Sequence, residues 1–479
     1  MLTTSELASL DAQTIASMVA AKRLSAVEVT EASLAAIGDI NPRLHPFVTV
    51  DADQAIDSAR ALEKAIARGE KPGALAGVPV PIKDLVLTRG MRTTFGSRLY
   101  EHFVPDQDDI VVERLRAAGA IIIGKTNVSE FGYGGFGHNP LFPTTRNPWN
   151  PALTSGGSSA GSAVAVATGI APIAIGSDGG GSVRLPASFN GLFGMKASMG
   201  RVPLWPGCRD ENLPGASGWE TIEHIGPITR TVADAALMLS VIAGADGRDR
   251  HSIPSDDVDW TSLAPVDRLG LRIAYCADWG GQPLDREIRA ACAEAARVFA
   301  SDLGCTVEET PPPFGWEIDM FRAVVAMDTD VEGLQRLSDL MGNPKLSGGV
   351  NRVLSRTWST DAFIAANVRR KAAANAMARF MQTYDMLLTP TVSTLPFPID
   401  RDGPGEIDGQ CVDDDAWTPA AFPANLTGQP AASVPAGMSR NGLPIGLQII
   451  GRHLADATTL IAAAAFERAR PWRHIRPPI

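Results

Sequence analysis

Cysteine is sparse in this chain and never arranged as metals or disulfides require. The five residues, Cys208, Cys276, Cys292, Cys305 and Cys411, are scattered, odd in number and form no CxxC or Cys/His pattern. No zinc site or disulfide scaffold follows from them, and free thiols in a reducing, cytoplasmic compartment are expected. Basic residues are outnumbered by acids, giving a net charge of −10, and they form no cluster. A nucleic-acid partner is therefore not expected, because phosphate recognition needs a Lys/Arg footprint. Long apolar runs are missing as well. The most apolar stretch, residues 163–175, is broken by Gly169 and Pro172 and is too short to span a bilayer. Residues 1–6 lack the basic and apolar regions of a secretory signal. Neither a membrane partner nor a metal is expected.

What is present has the composition of a soluble globular protein, 45% hydrophobic and 20% charged. Length alone permits two or three domains. No internal repeat or linker interrupts the chain, however, so one α/β domain over residues 1–479 is expected. Residues 1–70 read as helical. Ser25 is placed to cap a helix through Ile37 that stops at Asn41 and Pro42. Ala52, Ala55, Ile56, Ala59, Leu62 and Ile66 then repeat at helical spacing up to Gly69. Residues 77–87 read as a buried strand, which its prolines restrict to an edge or an irregular start. Asp108 is the expected cap of a helix to Ala118, with a strand at 120–124, the alternation of an α/β fold. Residues 310–380 read as largely helical, with Trp316, Phe321 and Trp358 expected mainly in the core. The Asp-rich loop 400–415 is expected to be solvated.

Glycine and serine concentrate in one place. Ser155, Gly156, Gly157, Ser158 and Ser159 form one cluster, and residues 176–182, ending in Gly179, Gly180, Gly181 and Ser182, form a second. Glycine loses more backbone freedom on folding than any other residue, so such clusters mark loops that need unusual φ or close approach. Two tight loops carrying hydroxyls and bare N–H groups are suited to attacking a carbonyl and holding the resulting oxyanion. Neither cluster has the lysine of a phosphate loop or the spacing of a dinucleotide loop. Neither is read as the GxSxG elbow of an α/β-hydrolase. Among the seven histidines only His138 lies near in sequence, so a Ser-His-Asp triad has little support. Lys83 stands among apolar neighbours at a strand end. Either its ammonium snorkels to water or it is desolvated and able to act as a base. In the glycine-aromatic loop 125–138, Phe131, Tyr133, Phe136 and His138 either pack the loop or face a substrate.

Residues 77–84, 154–165 and 176–200 together resemble the amidase signature enzymes, serine hydrolases that act on amides. The order of Lys83, then Gly-Gly-Ser-Ser ending at Ser159, then Gly180, Gly181, Ser182, Val183 and Arg184 is that family's arrangement, and so is the spacing of Ser158 and Ser182. Residues 146–149, 194–196 and 443–451 resemble the family too. The resemblance implies a central mixed β-sheet covered by helices on both faces, with no cofactor. Carried over residue by residue, it implies Ser182 as nucleophile, Ser158 on a cis peptide bond as proton relay and Lys83 as base. The N–H groups of Gly179, Gly180, Gly181 and Ser182 become the oxyanion-hole candidates. Phe131, Tyr133, Gly134, Phe136 and Gly157 are the candidates for substrate contact, and Asp178 with Arg184 is expected to form a structural ion pair. One departure concerns Gly179, where many members carry a β-branched residue. A loop at 201–226 is expected to overhang the site, and a homodimer is plausible by resemblance.

These readings converge on a metal-independent hydrolase that cleaves a small-molecule amide through an acyl-enzyme. A hydrophobic or aryl amide, anilide or carbamate-type substrate is expected. The glutaminase subunit of a tRNA-dependent amidotransferase, a catalytically silent binding protein on the same scaffold and a phosphate- or nucleotide-binding module stay open as alternatives.

Overall fold

The apolar runs of this sequence form strands that are buried end to end, and such strands need cover on both faces. The computed structural model describes residues 2–207, 219–255, 258–262, 266 and 268–479. Its strands, in chain order, are β1 Phe47–Val50, β2 Pro79–Lys83, β3 Ile121–Thr126, β4 Ile173–Ser177, β5 Phe193–Lys196, β6 Ile225–Thr229, β7 Arg272–Tyr275 and β8 Thr306–Glu309. They continue with β9 Met386–Pro390, β10 Glu406–Ile407, β11 Gln410–Cys411, β12 Ala431–Met438 and β13 Pro444–Gly451. β10 and β11 pair with each other. The rest form one sheet in the order β1-β3-β2-β4-β6-β5-β12-β13-β9-β7-β8. β2 is parallel to β3 and β4, while β4 is antiparallel to β6 and β12 to β13, so the sheet is mixed. Helices flank it. Ala160–Ala167 and Arg184–Asn190 beside the site are buried at every residue, and Val232–Ile242, Arg286–Ser301 and Asp456–Ala469 also pack on strands.

Several expectations shift by a residue or a turn. The helix capped by Ser25 runs Ala26–Leu44 and takes Pro42 into its last turn. There a proline removes one hydrogen bond near an end that is closing anyway, and His45 N–H finishes the helix on Asn41 O (3.0 Å). Asp109, not Asp108, caps Ile110–Ala117 through Val111 N–H, and Asp108 instead accepts from Arg89 N–H (2.7 Å). The largest correction concerns β2, which is interior rather than at an edge. Pro79 and Pro81 are two residues apart, so both missing donors face the same neighbouring strand, and Val80 and Ile82 keep theirs for the other. The prolines face β4, with which β2 makes one bridge, and the even-numbered residues pair with β3 through a register irregularity between Val80 and Pro81.

The helices Ile318–Met327, Val331–Leu340, Gly348–Ser355 and Thr360–Thr383 follow as expected. Together with Leu85, Phe131, Tyr133, Trp219 and Phe422 they build a second apolar cluster, apart from the one under the sheet. Residues 208–218 of the expected overhanging loop lie outside the described residues. Among the described residues no helix is long and apolar enough to cross a membrane. Cys276, Cys292, Cys305 and Cys411 are free thiols.

Candidate active site

β2 and β4 are parallel neighbours, so their carboxyl ends open at the same side of the sheet, where α/β folds place ligands. Lys83 ends β2 and Ser177 ends β4. Lys83 is 0% exposed, which removes the snorkelling alternative. Its ammonium donates to Ser158 Oγ (2.8 Å), Ser177 Oγ (2.8 Å) and Ser177 O (3.0 Å). Ser158 lies in the loop before Ala160–Ala167, and the Gly157–Ser158 peptide bond is cis. Gly157 is glycine because a Cβ there would stand 2.0 Å from Phe136 O. The two loops touch at backbone distance.

Residues 157–161 do spell GxSxG around Ser159, contrary to the reading of that cluster. The likeness is one of letters only. Ser159 Oγ donates to Ser177 O (3.2 Å) and accepts from Ser177 N–H (3.2 Å), so that hydroxyl ties the two loops together. Ser182 stands in the turn between β4 and Arg184–Asn190, and of Lys83, Ser158 and Ser182 it alone lines the cavity.

The turn that carries Ser182 is held by Asp178. Its carboxylate accepts from Gly181 N–H (2.7 Å), Val183 N–H (3.2 Å), Arg184 Nε (2.9 Å) and Arg184 Nη2 (2.8 Å), and from Asn425 Nδ2 (2.9 Å). Burial works against this anion, but the Arg184 guanidinium and these donors hold its pKa well below the usual carboxylate range. Arg184 is also fully buried and donates to Ala421 O (2.7 Å), Gln448 Oε1 (2.5 Å) and Asn425 Oδ1 (2.7 Å). The expected structural ion pair is therefore the centre of a network that joins the turn carrying Ser182 to the C-terminal part of the chain. The same network narrows the oxyanion-hole expectation. Gly181 N–H is committed to Asp178, whereas the N–H groups of Gly179, Gly180 and Ser182 have no acceptor among the described residues.

A cavity of about 460 Å³ opens in front of Ser182. Tyr133, Gly134 and Phe136 line it as expected, and so do Gly180, Leu185, Trp219, Phe321, Trp358, Trp417 and Phe422. Phe131 and Gly157 do not. Phe131 stacks on Phe95 (6.2 Å between ring centres) behind the site, and Gly157 is covered by Phe136. His138 stacks on Phe136 (4.1 Å) and reaches Asp402 (2.9 Å) at the rim. Phe321 and Trp358, expected in the core, are pocket walls; Trp316 packs in the core as expected. Trp219 belongs to the loop 201–226 expected over the site, whereas Trp417 and Phe422 gave no local signal, because they are brought here by contacts more than a hundred residues apart.

The loop 400–415 is not simply solvated. Asp402 and Asp414 meet Arg352 (3.1 and 3.6 Å), and Asp415 meets Arg322 (2.5 Å), so the loop is tied to the helices across the cavity mouth. Arg356 pairs with Asp319 (3.2 Å) and lies over the Trp358 ring (3.9 Å). Each arginine at the mouth is thus matched by a carboxylate. No group of three or more His, Cys, Asp or Glu side chains fit to hold a metal ion occurs among the described residues.

Residues 28–460 match the family model described as Amidase. The chain is 36% identical to a glutamyl-tRNA(Gln) amidotransferase subunit of Thermosynechococcus vestitus, covering 96% of this chain and 97% of that one. It is 35% identical to an acylamidase of Rhodococcus erythropolis, covering 98% and 97%. Among solved structures it superposes on a bacterial aryl acylamidase of the amidase signature family with a TM-score of 0.88 at 33% identity, over 97% of this chain and 96% of that one. The fold and these likenesses define a hydrolase of amide carbon–nitrogen bonds. The chain belongs to the amidase signature family.

Proposed function

We propose that this amidohydrolase works through Ser182, Ser158 and Lys83, and that its substrates are uncharged amides with an aryl or bulky apolar group. Lys83 in its neutral form takes a proton from Ser158 as Ser158 takes one from Ser182, and Ser182 Oγ attacks the carbonyl. The oxyanion rests on the N–H groups of Gly179, Gly180 and Ser182. Each well-placed donor of this kind is worth about 3–4 kcal/mol. The relay then returns the proton to the nitrogen, which leaves as the amine, and water repeats the sequence on the acyl-enzyme.

The observation that carries this reading is the buried Lys83 ammonium, 2.8 Å from Ser158 Oγ, beside a turn that presents Ser182 to the cavity. The substrate class rests on the cavity itself. Its inner walls are Trp219, Phe321, Phe422 and Trp417, and the arginines at its mouth are neutralised by aspartates, so nothing there seeks a charged substrate. Anilides and carbamates share this shape and are included. Ser182→Ala is expected to lower kcat by about 10³-fold or more with an unchanged melting temperature. Near-normal turnover by that variant on every substrate of the parent refutes the assignment.

A second reading, the glutaminase component of an amidotransferase, is favoured by the identity to such proteins. Turnover of free glutamine above that of anilides, or copurification with partner subunits, would select it.

A further inference from the structure

The catalytic lysine has a neighbour that the Ser-Ser-Lys scheme does not use. Glu223 stands two residues before β6, opposite the end of β4, where His224 N–H donates to Asp178 O (3.2 Å) and Asp178 N–H to His224 O (2.8 Å). Its carboxyl lines the same small void as Ser177, and the Lys83 charge and the Ser177 hydroxyl both act on it. Ser177 Oγ accepts from Lys83 Nζ (2.8 Å), so this hydroxyl touches the amine and faces the void that holds the carboxyl. Glu223 Oε2 is buried with no hydrogen-bond partner among the described residues. The space it occupies exists because residue 179 is glycine. A Cβ there would stand 2.7 Å from Glu223 Oε2 and 2.6 Å from Trp219 Cε3.

Other charges face the same place. Asp178 at the end of β4 is neutralised by Arg184, and burial keeps the His224 ring uncharged. Asp109, from the turn before Ile110–Ala117, faces a void of about 20 Å³ that Ser177 and Glu223 also line; burial pushes it up to about 7, and Lys125 acts on it. Glu223 is therefore the carboxyl beside the Lys83–Ser177 hydrogen bond, and among the described residues it has no ion-pair partner of its own. Burial outweighs the pull of Lys83 and Ser177 and pushes its pKa up to about 7, so it is the anionic form above that pH that acts on the lysine. The attraction is reciprocal: an anionic carboxylate favours the ammonium form of the lysine.

We propose that Glu223 is a positioning residue of the proton relay. Acting through the Ser177 hydroxyl, its carboxylate holds the Lys83 amine in place and sets the pH at which that amine becomes neutral. This rests on the reading of Lys83 as the base, and the test separates the two. The rate at which a fluorophosphonate labels Ser182 is measured against pH in the parent and in Glu223→Gln, which keeps the shape and a partner for Ser177 but removes the charge. Neutral lysine then forms at lower pH, so the acidic limb of the labelling rate is expected to move down by about one to three pH units. The acidic limb of kcat/KM is expected to move with it. Gly179→Ala crowds the carboxyl out by a separate route and is expected to move the limb in the same direction.

A purely structural role lowers the melting temperature or the labelled fraction without moving the limb, and that result overturns the proposal while leaving the triad intact. An equal displacement in Asp109→Asn overturns it by giving the role to the other carboxyl. Absence of Ser182 labelling in the folded parent at every pH removes the relay itself.

Discussion

The reaction centre and the cavity mouth are both built from ions and hydrogen bonds, yet they are built differently. At the centre, Asp178 and Arg184 are fully buried, and each fills its capacity with several donors or acceptors. At the mouth, Arg322 and Arg352 meet their aspartates with much of each side chain in water. The buried pair has no alternative partner if one member is lost, whereas water replaces a lost partner at the rim. Precision of the turn that carries Ser182 and adaptability of the entrance follow from that contrast.

The largest effect is therefore expected from Asp178→Asn, which leaves the Arg184 guanidinium buried without its anion. Removing one member of such a pair costs about 3–5 kcal/mol, read as a lower denaturation midpoint. The same pair gives a pH signature. Asp178 has a folded pKa below its unfolded value of about 3.9, so its contribution is full above that value and is lost as the pH falls from there toward the folded value. Acid unfolding of the parent below about pH 4 is expected to carry this component, and the Asn variant is expected to lack it.

An intermediate effect is expected from Phe321→Ala. This ring stacks on Phe422 (4.9 Å) and lies against Gly180, so its loss opens the inner wall beside the oxyanion turn. The ratio of kcat/KM for an anilide over a short aliphatic amide is expected to fall about tenfold or more, with the aliphatic value nearly unchanged. Equal loss on both substrates would show that the ring serves the chemistry rather than the fit. The smallest effect belongs to Arg352→Ala. Exposed pairs contribute under about 1 kcal/mol, so the denaturation midpoint is expected to move little. A large loss there would erase the distinction between the two regions.

The same contrast explains what was legible in the chain. Ser158, Ser182 and the Asp178–Arg184 pair sit in short runs whose glycines and serines have few other uses, so local sequence marked them, while Lys83 was given its role only by the family resemblance. The mixed sheet was legible only through the family resemblance, although several of its inner strands are short and buried from end to end. The interior place of β2 was not, because a proline's missing donor matters only relative to a neighbour that the sequence does not name. The cavity walls were the least legible part. Phe321, Trp358, Trp417 and Phe422 are apolar residues like those of any core, and what makes them walls is an empty space between elements distant in the chain. Phe131 shows the converse: it sits in the right loop, but its left-handed backbone (φ 50°) goes with a ring packed behind the site.

Lys83 and Ser177 are the last residues of adjoining strands, so the amine is anchored by the stiffest part of the molecule rather than by a loop. Under the proposed relay, any adjustment during turnover then falls to the turns that carry Ser158 and Ser182. The entrance, made by other segments, is free to be rebuilt for a new leaving group while the proton's destination stays where it is.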